Sequence, residues 1–234
     1  MPETVKSTNR LLVALPAKDY EHFSKKLERV ELKYGTTLYK TGGTIKNVYF
    51  PESGIVSLLS AVEENATLEV GIVGSEGMLG LPVFLGVSTS NNLALVQGEG
   101  FALRMAAADF ITECASSDEM SRILKRFTHS LMAQIAQSAA CNRFHPIDSR
   151  MARWLLMTHD RMRTGEFQIT QEFLSNMVGV RREAVNKAAR GFHDQGLISY
   201  NRGKLSILDL KGLKDIACDC YKVISKHDPD YEKK

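Results

Sequence analysis

The segment of residues 167–207 constrains the fold most, because its spacing predicts two short helices joined by a tight turn. Thr170 is a plausible N-cap residue, and Gly179 ends the first helical pattern. The second pattern ends before Gly196, which is placed as the residue after a helix C-terminus. The apolar faces recur at three- and four-residue spacing and contain Phe173, Leu174, Met177 and Val178, then Val185, Ala188, Ala189 and Phe192. This pattern is typical of a helix-turn-helix.

The opposite face of the second helix carries side chains that can recognise base edges in DNA. Arg182 and Lys187 suit guanine, Asn186 suits adenine, and Glu183 suits the amino group of cytosine. Arg181 and Arg190 flank this face and could contact phosphate. An ordinary solvated helix can also show a charged face, and a Glu183–Lys187 pair would contribute only roughly 0.2–0.5 kcal/mol. The turn glycine and the hairpin that follows favour DNA binding over that alternative.

The hairpin is predicted for residues 198–207, where apolar and polar residues alternate on both sides of Asn201-Arg202-Gly203. A hairpin after a recognition helix is a wing. Arg202 and Lys204 near its tip are positioned to hold phosphate.

Residues 170–185 together with 194–198 resemble the winged helix of the Crp/Fnr superfamily of catabolite-activator-type regulators. The resemblance implies that Arg182, Glu183 and Lys187 read bases and that Thr170 and Gln171 contact backbone phosphate. Lys187 stands where the catabolite activators carry Arg, and Arg181 stands where they carry a capping Ser. Lysine lacks the rigid bidentate fork of arginine, so the recognised DNA sequence need not be that of the catabolite activators.

Short β-like runs between glycines fill residues 35–100, which contain 11 of the 17 glycines. About eight strands are expected, and five of them are located at residues 48–50, 55–59, 67–73, 93–96 and 101–105. This texture indicates a β-sandwich or jelly roll, and the fold class is α+β. The segment is similar to the cyclic-nucleotide-binding jelly roll of the same superfamily.

The ligand residues of cyclic-nucleotide binders are replaced here. Met78 stands where those proteins carry a Glu for the ribose, and Asn91-Asn92 occupies the position of their Arg-Ser pair for the phosphate. A buried phosphate without a guanidinium is unfavourable, so tight binding of cyclic AMP is not expected. A different small effector remains open, and the candidate pocket consists of Gly77, Met78, Leu79, Gly80, Asn91 and Asn92.

Metal and catalytic sites are not predicted. No histidine occurs between His22 and His129 and no cysteine precedes Cys114, so the barrel lacks imidazole and thiolate ligands. The four cysteines, Cys114, Cys141, Cys218 and Cys220, lack metal-finger spacing, which favours reduced thiols, with a redox role of Cys218 and Cys220 as the alternative. His145 and His159 look isolated and structural. We therefore expect no metal, no cofactor and no catalytic residue.

A long helix is predicted from a capping box at Ser116–Glu119 to about Cys141. It has two apolar stripes, the second of which contains Ile123, Met132, Ala136 and Ala139. The resemblance implies pairing with a twofold mate, and the candidate dimer residues are Met120, Leu124, Phe127, Leu131 and Ile135. The alternative is that both stripes are buried within one subunit.

The expected organisation is a sensor-type domain at residues 1–115, a dimerisation helix and hinge at 116–145, and a winged helix-turn-helix domain at 146–234. One helix is expected to be capped by Asp148 or Ser149, and another is expected to span residues 209–225. Residues 142–204 carry 11 Lys and Arg against 6 Asp and Glu, while residues 1–141 carry 13 against 15, as a polyanion partner requires. No apolar run suits a membrane span or a signal peptide, so a cytoplasmic protein without membrane contact is expected.

The sequence thus predicts a homodimeric transcription regulator that reads an inverted repeat in double-stranded DNA, with RNA polymerase as an implied partner. Two alternatives remain at this stage. One is an effector-binding signalling module whose C-terminal domain contacts proteins, and the other is a jelly-roll enzyme, which the histidine-free barrel disfavours.

Overall fold

The computed structural model describes residues 7–63, 66–201 and 203–227, without the side chains of residues 62, 63 and 66. The described residues divide into two compact units. The first contains residues 7–58 and 72–132, and the second contains residues 59–71 and 133–227. Within these described ranges, none of the helices combines the length and the apolar character needed to cross a membrane.

The amino-terminal part of the chain is built mainly from strands. In chain order its elements are α1 (Arg10–Val13), α2 (Ala17–Ser24), β1 (Glu28–Leu32), β2 (Thr37–Tyr39), β3 (Asn47–Pro51), β4 (Ile55–Glu63), β5 (Ala66–Val73), α3 (Leu81–Phe84), β6 (Leu93–Gly98), β7 (Gly100–Ala106), α4 (Ala107–Ser116) and the long α5 (Asp118–Phe144). One sheet has the order β1-β7-β3 and another has the order β2-β6-β4-β5. All five strands predicted from alternation are confirmed.

The core of the first unit is apolar and aromatic. Phe50 of β3 is fully buried, and its ring lies 5.7 Å from that of Phe23 and 6.1 Å from that of Phe110, measured between centroids. The Phe23 and Phe110 rings meet edge to face at 6.4 Å. Such edge contacts are the favoured geometry for aromatic pairs. These three side chains join α2, β3 and α4 into one core.

Two expectations about helix ends in this part are corrected. The sequence of residues 9–30 predicts one or two short helices, but α2 ends at Ser24 and residues 28–30 belong to β1, which pairs with β7. The long helix is capped by Ser117, whose hydroxyl accepts a hydrogen bond from the Met120 amide at 3.1 Å, whereas Ser116 is the last residue of α4. Ser116–Glu119 is therefore not the capping box that its spacing suggested.

The carboxyl-terminal part contains α6 (Ile147–Met162), β8 (Glu166–Gln168), α7 (Gln171–Val178), α8 (Arg182–Asp194), β9 (Ile198–Asn201), β10 (Lys204–Ile207), α9 (Leu210–Ile216) and α10 (Cys220–Lys226). Pro146 precedes α6 and no side chain caps its start, so the expected cap from Asp148 or Ser149 is wrong. Proline suits this place because it has no amide hydrogen to leave unsatisfied.

The predicted single helix at residues 209–225 is also wrong. Helix α9 ends where Ala217 adopts an extended conformation with ψ 141°, and α10 begins three residues later at Cys220. Asp209 does cap the first of the two helices, since its carboxylate accepts from the Lys211 amide at 2.9 Å and the Gly212 amide at 3.0 Å.

Candidate nucleic-acid interface and other candidate sites

The first helix of the predicted helix-turn-helix is fixed at both ends. Thr170 is its N-cap, and the threonine hydroxyl accepts from the Phe173 amide at 3.1 Å. At the other end the buried guanidinium of Arg150 donates to the carbonyl oxygens of Val178 and Gly179. These bonds satisfy groups that a helix end leaves without partners. A side chain of α6 therefore holds the turn between the two helices in place.

Gly179 is required at the turn for two reasons. Its φ of +67° lies in the left-handed region, which favours glycine. A Cβ at this position would also lie 2.4 Å from Cδ1 of Leu68 on the β4–β5 hairpin. Leu68 of β5 thus packs directly on the turn, within the second unit.

A buried hydrogen bond ties the same hairpin to α6. The indole nitrogen of Trp154 donates to a carboxylate oxygen of Glu69 at 2.8 Å. Trp154 is 1% exposed and Glu69 is 8% exposed, so both polar groups are shielded from water. Trp154 is the single tryptophan of the chain, and its fluorescence reports on this contact.

Helix α8 separates an apolar face from a charged face, as its sequence predicts. The four residues Val185, Ala188, Ala189 and Phe192 are buried. The side chains of Arg181, Arg182, Glu183, Lys187 and Arg190 are exposed. Among the described residues, these five form no side-chain hydrogen bond or ion pair, and the intrahelical Glu183–Lys187 pair is not made. Their charged groups therefore face solvent without internal partners.

Asn186 differs from its neighbours on this face. It is half-buried, and its side-chain oxygen is shielded from water with no hydrogen-bond partner within the described part of the chain. A buried polar atom without a hydrogen-bond partner is energetically costly. Rotation of the Asn186 side-chain amide toward a donor outside the protein is therefore favourable. The amide group is thus less accessible than the arginines when no partner is bound.

The predicted wing is present as a three-stranded sheet of order β8-β10-β9. Tyr200 joins it to the helix-turn-helix, since its hydroxyl donates to the Ile169 carbonyl at 2.7 Å. Lys204 forms an ion pair with Glu166, and this hydrogen bond holds the pKa of the Glu166 carboxyl below its ordinary value. Arg202 at the tip lies outside the described residues.

The candidate effector residues fall into a buried group and an exposed group. Met78 and Leu79 are each 1% exposed, and Leu79 exchanges backbone hydrogen bonds with Tyr49. The Gly80 amide donates to the Tyr39 hydroxyl at 3.3 Å. Asn91 is exposed and Asn92 is half-buried. The structure therefore gives Met78 a core position and Asn91 a surface position.

Gly77 is packed against the long helix, where a Cβ would lie 2.3 Å from the ring of Phe127. Phe127 is one of four candidate dimer residues that are buried against their own chain, namely Met120, Leu124, Phe127 and Leu131. Side chains already covered in this way are not available to a partner, so placing them on the dimer face is corrected. Ile135 is half-buried.

The exposed side of α5 has its own regular pattern. Six exposed positions recur at alternating four- and three-residue spacing, namely Lys125, His129, Met132, Ala136, Ala139 and Arg143, and Asp118, Ala140 and Phe144 are exposed as well. Met132 is 65% exposed although it is a large apolar side chain. A 4-3 repeat places side chains along one line of a helix, as in a coiled coil.

A cluster that the sequence did not predict lies in the second unit. The sulphur atoms of Cys141, Cys218 and Cys220 and a ring nitrogen of His145 all lie within 4.8 Å of one another. The Sγ atoms of Cys141 and Cys218 are 3.4 Å apart, and Cys220 Sγ is 3.4 Å from His145 Nδ1. His145 is therefore not isolated, contrary to the sequence-based interpretation.

The break between α9 and α10 assembles this cluster. Residues i and i+2 of a helix lie about 200° apart around its axis, so an unbroken helix would point Cys218 and Cys220 in nearly opposite directions. Cys141 and His145 lie four residues apart at the end of α5, the spacing that puts two side chains on one helix face. That cysteine–histidine spacing is the sequence signal that could have revealed the cluster.

Two thiols of the cluster, those of Cys141 and Cys218, have raised pKa values. Burial raises the pKa of Cys141, opposed by the charge of Arg153, and burial together with the neighbouring thiols raises the pKa of Cys218 to about 12. Burial also lowers the pKa of the nearby Arg150 guanidinium.

Comparison with known proteins gives a family match for the carboxyl-terminal part and distant relatives for most of the chain. Residues 149–216 match the model of the Crp-like helix-turn-helix domain. The chain is 26% identical over 226 residues to the transcriptional regulatory protein btr of Bordetella pertussis, covering 87% of each chain. It is also 26% identical to the CRP-like cAMP-activated global transcriptional regulator of Mycobacterium tuberculosis, covering 81% of this chain and 88% of the relative.

Solved structures with the same fold include FixK2 from Bradyrhizobium japonicum, with a TM-score of 0.69 at 13% identity over 82% of this chain and 98% of that one. The Crp/Fnr-family regulator TTHA1359 of Thermus thermophilus has a TM-score of 0.68 at 23% identity over 81% and 98% of the two chains. The two curated relatives and TTHA1359 are named as transcriptional regulators. The chain is therefore similar over most of its length to transcriptional regulators, shares the fold of Crp/Fnr-family structures and contains a segment that matches the Crp-like helix-turn-helix domain.

Proposed function

We propose that this regulator reads DNA sequence through the charged face of α8. The observation that carries the proposal is the absence of internal partners, among the described residues, for the exposed side chains of that face. Arg182, Glu183 and Lys187 are the proposed base readers, and Asn186 joins them once its side-chain amide turns outward. Base contacts of this kind determine the preferred sequence.

The proposed phosphate contacts surround this face. Thr170 and Gln171 lie at the start of α7, where a helix N-terminus favours an anion. Arg181 and Arg190 flank the readers, and Lys204 of the wing must exchange its ion pair with Glu166 for phosphate. Arg202 completes the proposed set. These contacts fix the orientation of the protein on the duplex and make binding salt-dependent.

Residues 146–234 are the proposed DNA-binding domain. It is preceded by a dimerisation helix and hinge at residues 116–145 and by a sensor-type domain at residues 1–115.

The proposed dimer contact is the exposed 4-3 stripe of α5, centred on Met132. Its small residues Ala136 and Ala139 allow two helices to approach closely, and the spacing suits a coiled-coil-like pair. A twofold dimer presents two recognition helices about 34 Å apart, so the preferred site is an inverted repeat. RNA polymerase is the proposed further partner of the DNA-bound dimer.

We further propose that DNA binding does not depend on cyclic AMP, although one relative is by name activated by cAMP. Met78 offers no polar atom to a ribose, and it is buried in the protein. Two arginines of the barrel strands already have acidic partners, since Arg29 pairs with Glu52 at 3.1 Å and Arg104 with Glu28 at 2.6 Å. A cyclic phosphate would have to break such a pair to gain a guanidinium.

Selection of duplex DNA from a random pool tests this function. The purified chain is incubated with the pool without ligand and with cyclic AMP, and the enriched sequences are determined. We expect an inverted repeat without ligand and no change on adding cyclic AMP. Enrichment that requires cyclic AMP would contradict the proposed independence, and salt-insensitive binding to a protein partner without DNA affinity would favour a signalling module.

The dimer contact can be tested by placing a charge in the stripe. Met132→Glu should shift the protein toward monomer, because two carboxylates would be buried opposite each other in the pair. Sedimentation equilibrium over a concentration series measures the effect. Ile111→Glu is the matched control, since Ile111 is 55% exposed and lies on α4. If both variants remain as dimeric as the unchanged chain, the interface lies elsewhere.

A further inference from the structure

We propose that Cys141, His145, Cys218 and Cys220 form a binding site for a single zinc ion. Nothing in the proposed DNA-binding function requires this site. The four ligand atoms come from two chain segments more than 70 residues apart, yet all lie within 4.8 Å of one another. Three thiolates and one imidazole are a ligand set typical of structural zinc.

The distances suit one tetrahedral ion. With Zn–S bonds of about 2.3 Å and a Zn–N bond of about 2.0 Å, the ligand atoms of a tetrahedron lie roughly 3.5–3.8 Å apart. Two of the pairs here, Cys141 Sγ to Cys218 Sγ and Cys220 Sγ to His145 Nδ1, are each 3.4 Å apart. An iron–sulphur cluster contains several irons and holds its thiolates farther apart than a single ion does. The spacing therefore favours a mononuclear site.

The ligands lie on structural elements that hold them in place. Cys141 lies in the last turns of α5 and His145 in the hinge before α6, and the His145 amide donates to the Cys141 carbonyl at 3.1 Å. Cys141 is fully buried and Cys220 is 2% exposed. The side-chain amide of Gln137 donates to Cys220 Sγ at 3.0 Å, and such an outer hydrogen bond orients a thiolate ligand.

The surrounding charge also fits. Zinc with three thiolates and a neutral imidazole carries one net negative charge, whereas the cluster lies beside two buried cations. Arg153 is 5% exposed and donates to neutral acceptors, Ser138 Oγ at 3.4 Å and Met157 Sδ at 3.3 Å. The Nε atoms of Arg150 and Arg153 have no hydrogen-bond partner in the described structure. An anionic zinc complex would offset this buried positive charge, which is otherwise unfavourable.

A bound ion would join the hinge to the carboxyl-terminal helices. It would fix the end of α5, His145 and the break between α9 and α10 to one another. It would also lie close to Arg150, the side chain that holds the carbonyls of Val178 and Gly179 at the helix-turn-helix. Zinc therefore stabilises the segments that hold the turn of the helix-turn-helix in place.

Metal titration of the full chain tests this site. The chain is purified under reducing conditions, stripped with a chelator and titrated with Zn²⁺ against a chromophoric competitor, and Co²⁺ serves as a spectroscopic probe. We expect one ion per chain, with the visible bands and thiolate-to-cobalt absorption of a tetrahedral sulphur-rich site. Removing a residue that only hydrogen-bonds to a zinc ligand typically weakens metal binding about 10- to 100-fold. Cys218→Ser removes a ligand itself, so it should weaken zinc binding by at least about 100-fold.

Cys114→Ser is the matched control, because Cys114 is the remaining half-buried thiol and lies in the first unit. Its zinc affinity should equal that of the unchanged chain. His145→Gln provides a second variant if Cys218→Ser does not fold, and it should change the cobalt spectrum. The proposal is overturned if the stripped wild-type chain takes up no zinc, if Cys218→Ser binds zinc equally well, if the site holds an iron–sulphur cluster, or if Cys141 and Cys218 form a disulfide with no metal bound.

Discussion

Arg182→Ala should weaken binding to the selected DNA site by ~1–3 kcal/mol, about 5- to 150-fold, and relax the preference at one base position in each half-site. The reason is geometric, because a guanidinium can donate two hydrogen bonds to one guanine and no neighbouring side chain replaces both. Arg182 is exposed at the start of α8, and its side chain has no partner among the described residues. Its removal therefore breaks no contact within the described part of the protein.

Binding isotherms on the selected site and on single-base variants, each at several salt concentrations, measure this effect. Lys204→Ala is the comparison, because it also removes one positive charge but from the wing. It should weaken binding to all sequences alike and reduce the dependence on salt. An Arg182→Ala variant with unchanged base preference would show that another residue reads the sequence.

Gly179→Ala should destabilise the protein by about 2–5 kcal/mol. Part of this cost is the left-handed backbone, where φ is +67°. The rest is steric, because the new methyl group would lie 2.4 Å from Cδ1 of Leu68, and either the hairpin or the turn must move. The expected loss is large relative to the ~5–15 kcal/mol stability of an ordinary domain.

Gly196→Ala separates the two causes. Its φ of +71° is nearly the same, but a Cβ there meets nothing within 4 Å, so it should cost only about 1–2 kcal/mol. Denaturant unfolding followed by the fluorescence of Trp154 measures both variants. Adding Leu68→Ala to Gly179→Ala should recover part of the loss. Equal losses for the two glycine variants would mean that the hairpin does not press on the turn.

Much of the fold follows from local patterns in the sequence. The alternation of Phe101, Leu103 and Met105 predicted β7, and the spacing of Val185 and Phe192 predicted the buried face of α8. Helix ends were less predictable, because several residues compete to cap one helix. Ser116 and Ser117 are equally good caps by composition, and only the path of α4 decides that Ser117 caps α5.

The sequence alone determined the helix-turn-helix and its charged face, since both depend on residues close together in the chain. Tertiary structure decided which stripe of α5 is exposed. Both stripes are apolar, but the contact of Phe127 with Gly77 covers the first one, and of the second stripe Ile123 is buried whereas Met132, Ala136 and Ala139 are exposed. Tertiary structure also formed the cluster of Cys141, His145, Cys218 and Cys220, because its distances depend on a helix break and on segments far apart in sequence. Local periodicity contains no information about such long-range contacts, so the spacing of Cys141 and His145 marks only one half of the proposed zinc site, and the fold brings Cys218 and Cys220 to it.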